Sequence, residues 1–160
     1  MLADFLYMPS WAVIWDPFVS STGVGARRLK RAFHGIVEVI HSKEYDLLTG
    51  KIPHGIDMII TNPPFSKKKE TIAKLFNSNI PFCVLLPLEA LARQYMRTWL
   101  IGYSSTIRIL MPSEKVHFEP LHAISKKKSS SPFHSVWLCN NIEELHANTI
   151  LPLRLYYHFK

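Results

Sequence analysis

Short apolar runs recur along the chain and alternate with segments whose apolar positions fall three and four residues apart. "WAVIW" (Trp11–Trp15) reads as a strand that ends at Asp16-Pro17. "GVGARRLKRAFH" follows with helical spacing at Leu29, Ala32 and Phe33. "GIVEVIHS" and "GIDMIITN" read as two further strands, the first rich in β-branched residues. "KKETIAKLFNSN" is an amphipathic helix with Ile72, Leu75 and Phe76 on one side. "IPFCVLLPLEA" is a buried strand, and "LARQYMRTWLIG" a helix closed by a glycine. The last third is strand-rich: "TIRILMP", "KVHFEP" and "SPFHSVWLCN".

Apolar strands alternating with helices predict a largely parallel sheet covered on both faces, an α/β doubly wound fold. The two late strands that flank "SKKKSSS" are expected to form an antiparallel C-terminal hairpin at its edge. No linker or repeat interrupts the pattern, so residues 1–160 are read as one domain, without a separate target-recognition domain. In such sheets ligands bind beyond the carboxyl ends of the strands, near the point where strand order reverses. Asp16 and Asn62 both stand at such ends.

Composition adds a partner class. The 160 residues are 48% hydrophobic, enough for a core, and carry a net charge of +7. The cations cluster at Lys67–Lys69, at Lys126–Lys128, and at Arg27, Arg28, Lys30 and Arg31. That distribution suits a polyanion, with a solvated basic face as the plainer reading. No apolar run reaches the roughly 18 residues that a membrane helix needs. The apolar opening "MLADFLYMPSWAVIW" lacks the basic region of a signal peptide and is read as strand and core. Cys83 and Cys139 sit in apolar runs and are read as buried free thiols of an intracellular, reducing compartment, cytoplasmic or nuclear. The eight histidines show no metal-ligand spacing, and no metal is expected.

The run "IDMIITNPPFSKKK" carries the sharpest chemistry. Two prolines cannot continue a ladder, since neither has an N–H, so the strand stops at Thr61 or Asn62. Asn62 offers an amide oxygen and Pro63 a carbonyl, held in place by the fixed φ of the Pro63-Pro64 unit. Phe65 adds a flat ring beside them. Two acceptors next to an aromatic platform suit the exocyclic amine of a planar base: the amine donates both hydrogens while the base stacks. The amine's lone pair is then left facing an electrophile, which is catalysis by positioning. The plainer alternative is a proline-rich turn with Phe65 in the core.

Upstream, "VIWDPFVSSTGVGARRLK" places a carboxylate at a strand end, followed by a loop of small residues and a helix. Such loops let backbone amides approach a ligand closely. Together the two segments resemble the S-adenosylmethionine-dependent adenine-N6 amino-methyltransferases. Those enzymes carry an Asp-Pro-Phe-x-Gly-x-Gly cofactor loop and an Asp/Asn-Pro-Pro-Tyr/Phe tetrapeptide. The likeness runs from about Trp11 to Asn140 and is greatest to small, single-domain, phage-like DNA methyltransferases. It implies a Rossmann-like class I methyltransferase fold with S-adenosylmethionine as cofactor.

By that resemblance Asp16, Pro17, Phe18, Ser20 and Gly23 hold the methionine part of the cofactor. Glu44 or the neighbourhood of Ser42 meets the ribose, and Asp46 the adenine amine. Asn62 and Pro63 take the target amine, with Pro64 fixing them and Phe65 stacking on the base. Lys67, Lys68, Lys69, Lys126, Lys127 and Lys128 would contact phosphates, DNA before RNA. Two departures stand out: Ser20 replaces the first loop glycine, and the chain leaves target selection to basic loops, a second copy or a partner subunit. Enzymes that methylate RNA adenine or guanine, or protein glutamine, also resemble this chain at Asn-Pro-Pro-Phe. A non-catalytic nucleic-acid-binding relative is the alternative outside enzymes.

Overall fold

A computed structural model describes residues 6, 8–9, 11–19, 23–35, 37–112, 116 and 134–142. Within them the strands are β1 (Val13–Trp15), β2 (Glu38–Ile40), β3 (Met58–Thr61), β4 (Phe82–Pro87), β5 (Ile107–Leu110) and β6 (Ser135–Asn140). The helices are α1 (Val24–Ala32), α2 (Lys68–Asn77) and α3 (Gln94–Gly102), with short 3-10 turns at Phe65–Lys67 and Leu88–Ala92. They form one six-stranded sheet in the order β2-β1-β3-β4-β6-β5. The first four strands are parallel, and β6 runs antiparallel to both its neighbours. This is the Rossmann-like, doubly wound arrangement with an antiparallel pair.

Burial explains why the strands read as unbroken apolar runs. Every residue of β3 and β4 is buried, because side chains on both faces of a parallel sheet meet a covering layer. Alternate residues divide between two cores. Trp15, Ile59, Phe82, Val84 and Leu86 join α2 and α3 residues on one face, where Phe76 stacks on Trp99 with ring centroids 4.9 Å apart. Ile14, Met58, Ile60, Cys83 and Cys139 join Phe33, Leu6 and Met8 on the other, with Leu29 of α1 packed against them.

The antiparallel pair does lie at the sheet edge, but its first strand is Ile107–Leu110. Apart from Val116, the expected strand over 115–120 lies outside the described residues. The two cysteines are buried and free, and they face each other across β4 and β6 in direct register, with sulfurs 2.7 Å apart. Among the described residues, no helix is long and apolar enough to cross a membrane.

From β1 the chain steps outward to β2, then returns past β1 to β3 and proceeds the other way. The reversal therefore falls between β1 and β3, the crevice where doubly wound sheets take their ligands.

Candidate active site

Three parallel strand ends meet at this reversal. Trp15 is in register with both Ile40 of β2 and Ile59 of β3, so Asp16, His41 and Thr61 converge on one rim. Asp16 is fixed from two sides: its N–H donates to the Ile40 carbonyl at 3.0 Å, and the Thr61 hydroxyl donates to its Oδ1 at 2.9 Å. The N–H of Phe18 also donates to the carboxylate. Asp16 is only 6% exposed, and that burial raises its carboxyl above the ordinary aspartate value. The bonds from Thr61 and Phe18, together with the nearby His41, pull it partly back.

His41 lies 3.2 Å from Asp16, Nδ1 to Oδ2, without the alignment of a hydrogen bond. Its Nε2 is also buried and has no partner among the described residues. Nor has Nε1 of Trp15, the residue before Asp16. Buried polar atoms usually find partners, so the unpartnered His41 nitrogens at this strand-end crevice are candidates for ligand contacts, whereas Trp15 is enclosed in the core.

The small-residue loop meets the carboxylate closely. A Cβ on Gly25 would stand 2.8 Å from Asp16 Oδ2, a distance that only a glycine avoids without displacing the carboxylate. Gly23 is the N-cap of α1 at φ 59°, a left-handed conformation that glycine adopts readily. Among the described residues no side chain caps this helix start, and no acidic residue occupies its first turn, so its first amides are donors available to a ligand. A buried carboxylate, uncapped amides and orphaned ring nitrogens form a donor and acceptor set that fits the ammonium, carboxylate and hydroxyl groups of an amino-acid nucleoside.

The Asn62–Phe65 segment begins where β3 stops, at Thr61, as the two prolines require. Pro63 is buried, whereas Asn62, Pro64 and Phe65 are exposed, Phe65 to 52%. The plainer expectation of a core phenylalanine is thus excluded. Pro64 caps the 3-10 turn Phe65–Lys67, and its carbonyl accepts from the Lys67 N–H at 2.9 Å. Lys68 Nζ lies 4.8 Å from the centre of the Phe65 ring, a cation–π contact. Lys67 reaches Glu70 at 3.7 Å, both half-exposed, a pair worth little in water. Lys69 is exposed.

Of the other expected residues, Pro17 is buried and Phe18 partly so. Glu44 is exposed, and its N–H donates to Ser42 Oγ at 3.2 Å. Asp46 uses Oδ1 to accept from the Leu48 N–H at 2.8 Å, within its own turn. Ser20, Lys126, Lys127 and Lys128 lie outside the described residues. Reading the sequence missed His41 and Thr61. Their only signal was position: each stands at a strand's carboxyl end beside the strand that ends in Asp16. No group of three or more metal-ligating side chains occurs among the described residues.

No family model and no curated protein matches the chain. Among solved structures it is similar to an S-adenosylmethionine-dependent O-methyltransferase from Thermotoga maritima. The two are 12% identical with a TM-score of 0.46, over 87% of this chain and 63% of that one. It is similar to the 23S rRNA methyltransferase ErmE at 12% identity and a TM-score of 0.49, over 91% and 68% of the two chains. It is also similar to a precorrin-6y C5,15-methyltransferase from Geobacter metallireducens, at 11% identity and a TM-score of 0.45, over 86% and 84%.

Proposed function

We propose that this chain is an S-adenosylmethionine-dependent methyltransferase that modifies the exocyclic N6 amine of adenine in nucleic acid, with DNA as the first substrate to test. The observation that carries the reading is the adjacency of β1 and β3 at the strand reversal. It sets the Asp16 loop beside Asn62-Pro63-Pro64-Phe65, and the Thr61–Asp16 bond ties the two together.

Asp16 provides a buried acceptor for the ammonium of the cofactor's methionine part. The uncapped start of α1 offers amides to its carboxylate. When bound, the cofactor supplies an electrophilic methyl carbon. Asn62 and Pro63 accept the two hydrogens of the target amine, turning its lone pair out of conjugation and toward that carbon. The exposed ring of Phe65 supports a base that has left its stack, a contact that needs only a π-face. Neither Asn62 nor Pro63 is a base, so their part is orientation rather than proton removal. The cations that follow the tetrapeptide, and the run at Lys126–Lys128, would hold the phosphate backbone without reading sequence.

Incubation with a labelled methyl donor and separate DNA, RNA and protein, followed by nucleoside analysis, tests the assignment. Label should appear as N6-methyladenine, and Asn62→Ala should lower transfer by about a hundredfold or more, as for loss of a positioned polar group. Cofactor binding should persist in that variant. Unchanged turnover there would refute the role of Asn62, and label on guanine or glutamine would replace the substrate assignment.

A further inference from the structure

We propose that His41 is the positioning residue of the Asp16 carboxylate, and that its protonation state sets how tightly the chain binds a cationic cofactor. The inference rests on the reading of this rim as the seat of the methionine end of S-adenosylmethionine.

The geometry begins with register. Trp15 pairs with Ile40, so the residues that follow, Asp16 and His41, leave β1 and β2 side by side. Each carboxylate oxygen then meets a different strand: Oδ1 takes the Thr61 hydroxyl at 2.9 Å, and Oδ2 lies 3.2 Å from His41 Nδ1. Both side chains of the His41–Asp16 pair are 9% exposed, so little water screens them. Thr61 does not ionise and cannot balance the charge. The other ionisable groups on the surrounding elements are Arg27, Arg28, Lys30 and Arg31 on α1, Glu38 on β2, Lys43, Glu44, Tyr45 and Asp46 after it, and Lys67–Lys69 beyond β3. Among the described residues, His41 brings an ion-pair partner within 3.2 Å of the Asp16 carboxylate.

Two charge states follow. With neutral His41, the carboxylate meets no positive charge from that ring and suits a ligand that carries both an ammonium and a sulfonium. With protonated His41, a positive charge lies 3.2 Å from the same oxygen and opposes that ligand. Binding and protonation therefore compete, and by linkage affinity falls by at most about tenfold per pH unit for a single coupled proton. Both ring nitrogens are buried without a hydrogen-bond partner among the described residues, so a second proton on the ring is not stabilised by an aligned hydrogen bond there.

The test is calorimetry of the full chain with S-adenosylmethionine between about pH 6 and about pH 8, the range in which histidine changes charge, in two buffers of different ionisation heat. The wild-type chain is expected to bind more weakly as pH falls, with a slope approaching tenfold per unit. It should also release a proton on binding at the acid end. His41→Gln keeps a polar side chain beside Asp16 but cannot ionise, so both the slope and the proton release should vanish. If His41→Gln retains them, the proton belongs to Asp16 and the inference fails. If that variant does not fold, the ring C–H resonance of His41 in the wild-type chain decides. Saturating cofactor should move its titration to lower pH, and an unmoved titration overturns the proposal. A wild-type chain that binds no cofactor at any pH would instead remove the functional reading on which the proposal stands.

Discussion

Replacing Thr61 by valine isolates the bond that joins the two halves of the candidate site. Valine keeps the shape of threonine, so the 2% exposed position loses a donor without gaining a cavity. What remains is a buried carboxylate with one bond fewer. A hydrogen bond to a charged group contributes about 1.5–3 kcal/mol, and a neutral one about 0.5–1.5 kcal/mol. At a pH where Asp16 is ionised, the variant should therefore lose about 1.5–3 kcal/mol of stability, read by urea denaturation. The loss should depend on pH in a definite direction. Burial raises the folded-state value of Asp16 above 3.8, so the native chain holds this proton more tightly than the unfolded one. Stability from that proton is complete below the unfolded value and is lost as pH rises through the folded one. Thr61 is among the groups that pull the value down, so removing it extends that loss upward in pH. The deficit of Thr61→Val must consequently shrink in acid, where Asp16 is neutral, toward the cost of a neutral bond. A deficit that is the same at both ends of the titration, or below about 0.5 kcal/mol where Asp16 is ionised, would refute the claim that Thr61 supports a buried charge.

Three further outcomes can be stated briefly. Gly25→Ala places a Cβ 2.8 Å from Asp16 Oδ2, so the carboxylate or α1 must shift; cofactor affinity should fall by about tenfold or more, checked by calorimetry, because a misplacement of about 1 Å is costly in a positioned site. Phe65→Ala should raise the KM for nucleic acid by about fivefold to a hundredfold, the equivalent of about 1–3 kcal/mol of stacking, whereas Phe65→Tyr should stay near the parent. Phe76→Ala removes a ring that is 1% exposed and touches Phe82, Trp99 and Tyr103; it should cost about 3–5 kcal/mol in denaturant unfolding.

The sequence made some of this plain because the causes are local. Strand β3 ends at Thr61 because Pro63 and Pro64 have no N–H to give. The face of α2 that carries Ile72, Leu75 and Phe76 is buried because its apolar spacing matches the helical turn. Asp16 and Asn62 could be placed on the same rim because both end strands of a parallel sheet. Other features depend on which strands become neighbours, and no local pattern encodes that. His41 is 25 residues from Asp16 (41 − 16) and reads as one scattered histidine until β2 pairs with β1. The same holds for Cys83 and Cys139, which occupy separate runs until β6 pairs with β4. The expected strand "KVHFEP" lies outside the described residues apart from Val116, while "TIRILMP", with nearly the same alternation, supplies β5.

The placement of β6 also bears on the order in which the chain can assemble. β5 pairs with β6 and with no other strand among the described residues, while one edge of β4 is likewise satisfied by β6 alone. Until residues 135–140 arrive, β4 keeps an open edge, and β5 has no ladder to join. On a growing chain these contacts form late, because the N-terminal part is made and folds first. The pairings among β1, β2 and β3 lie within residues 13–61 and wait for no later strand. A nascent chain can therefore build the rim of Asp16, His41 and Thr61 before its sheet is whole, with the exposed edge of β4 as its aggregation hazard in the interval.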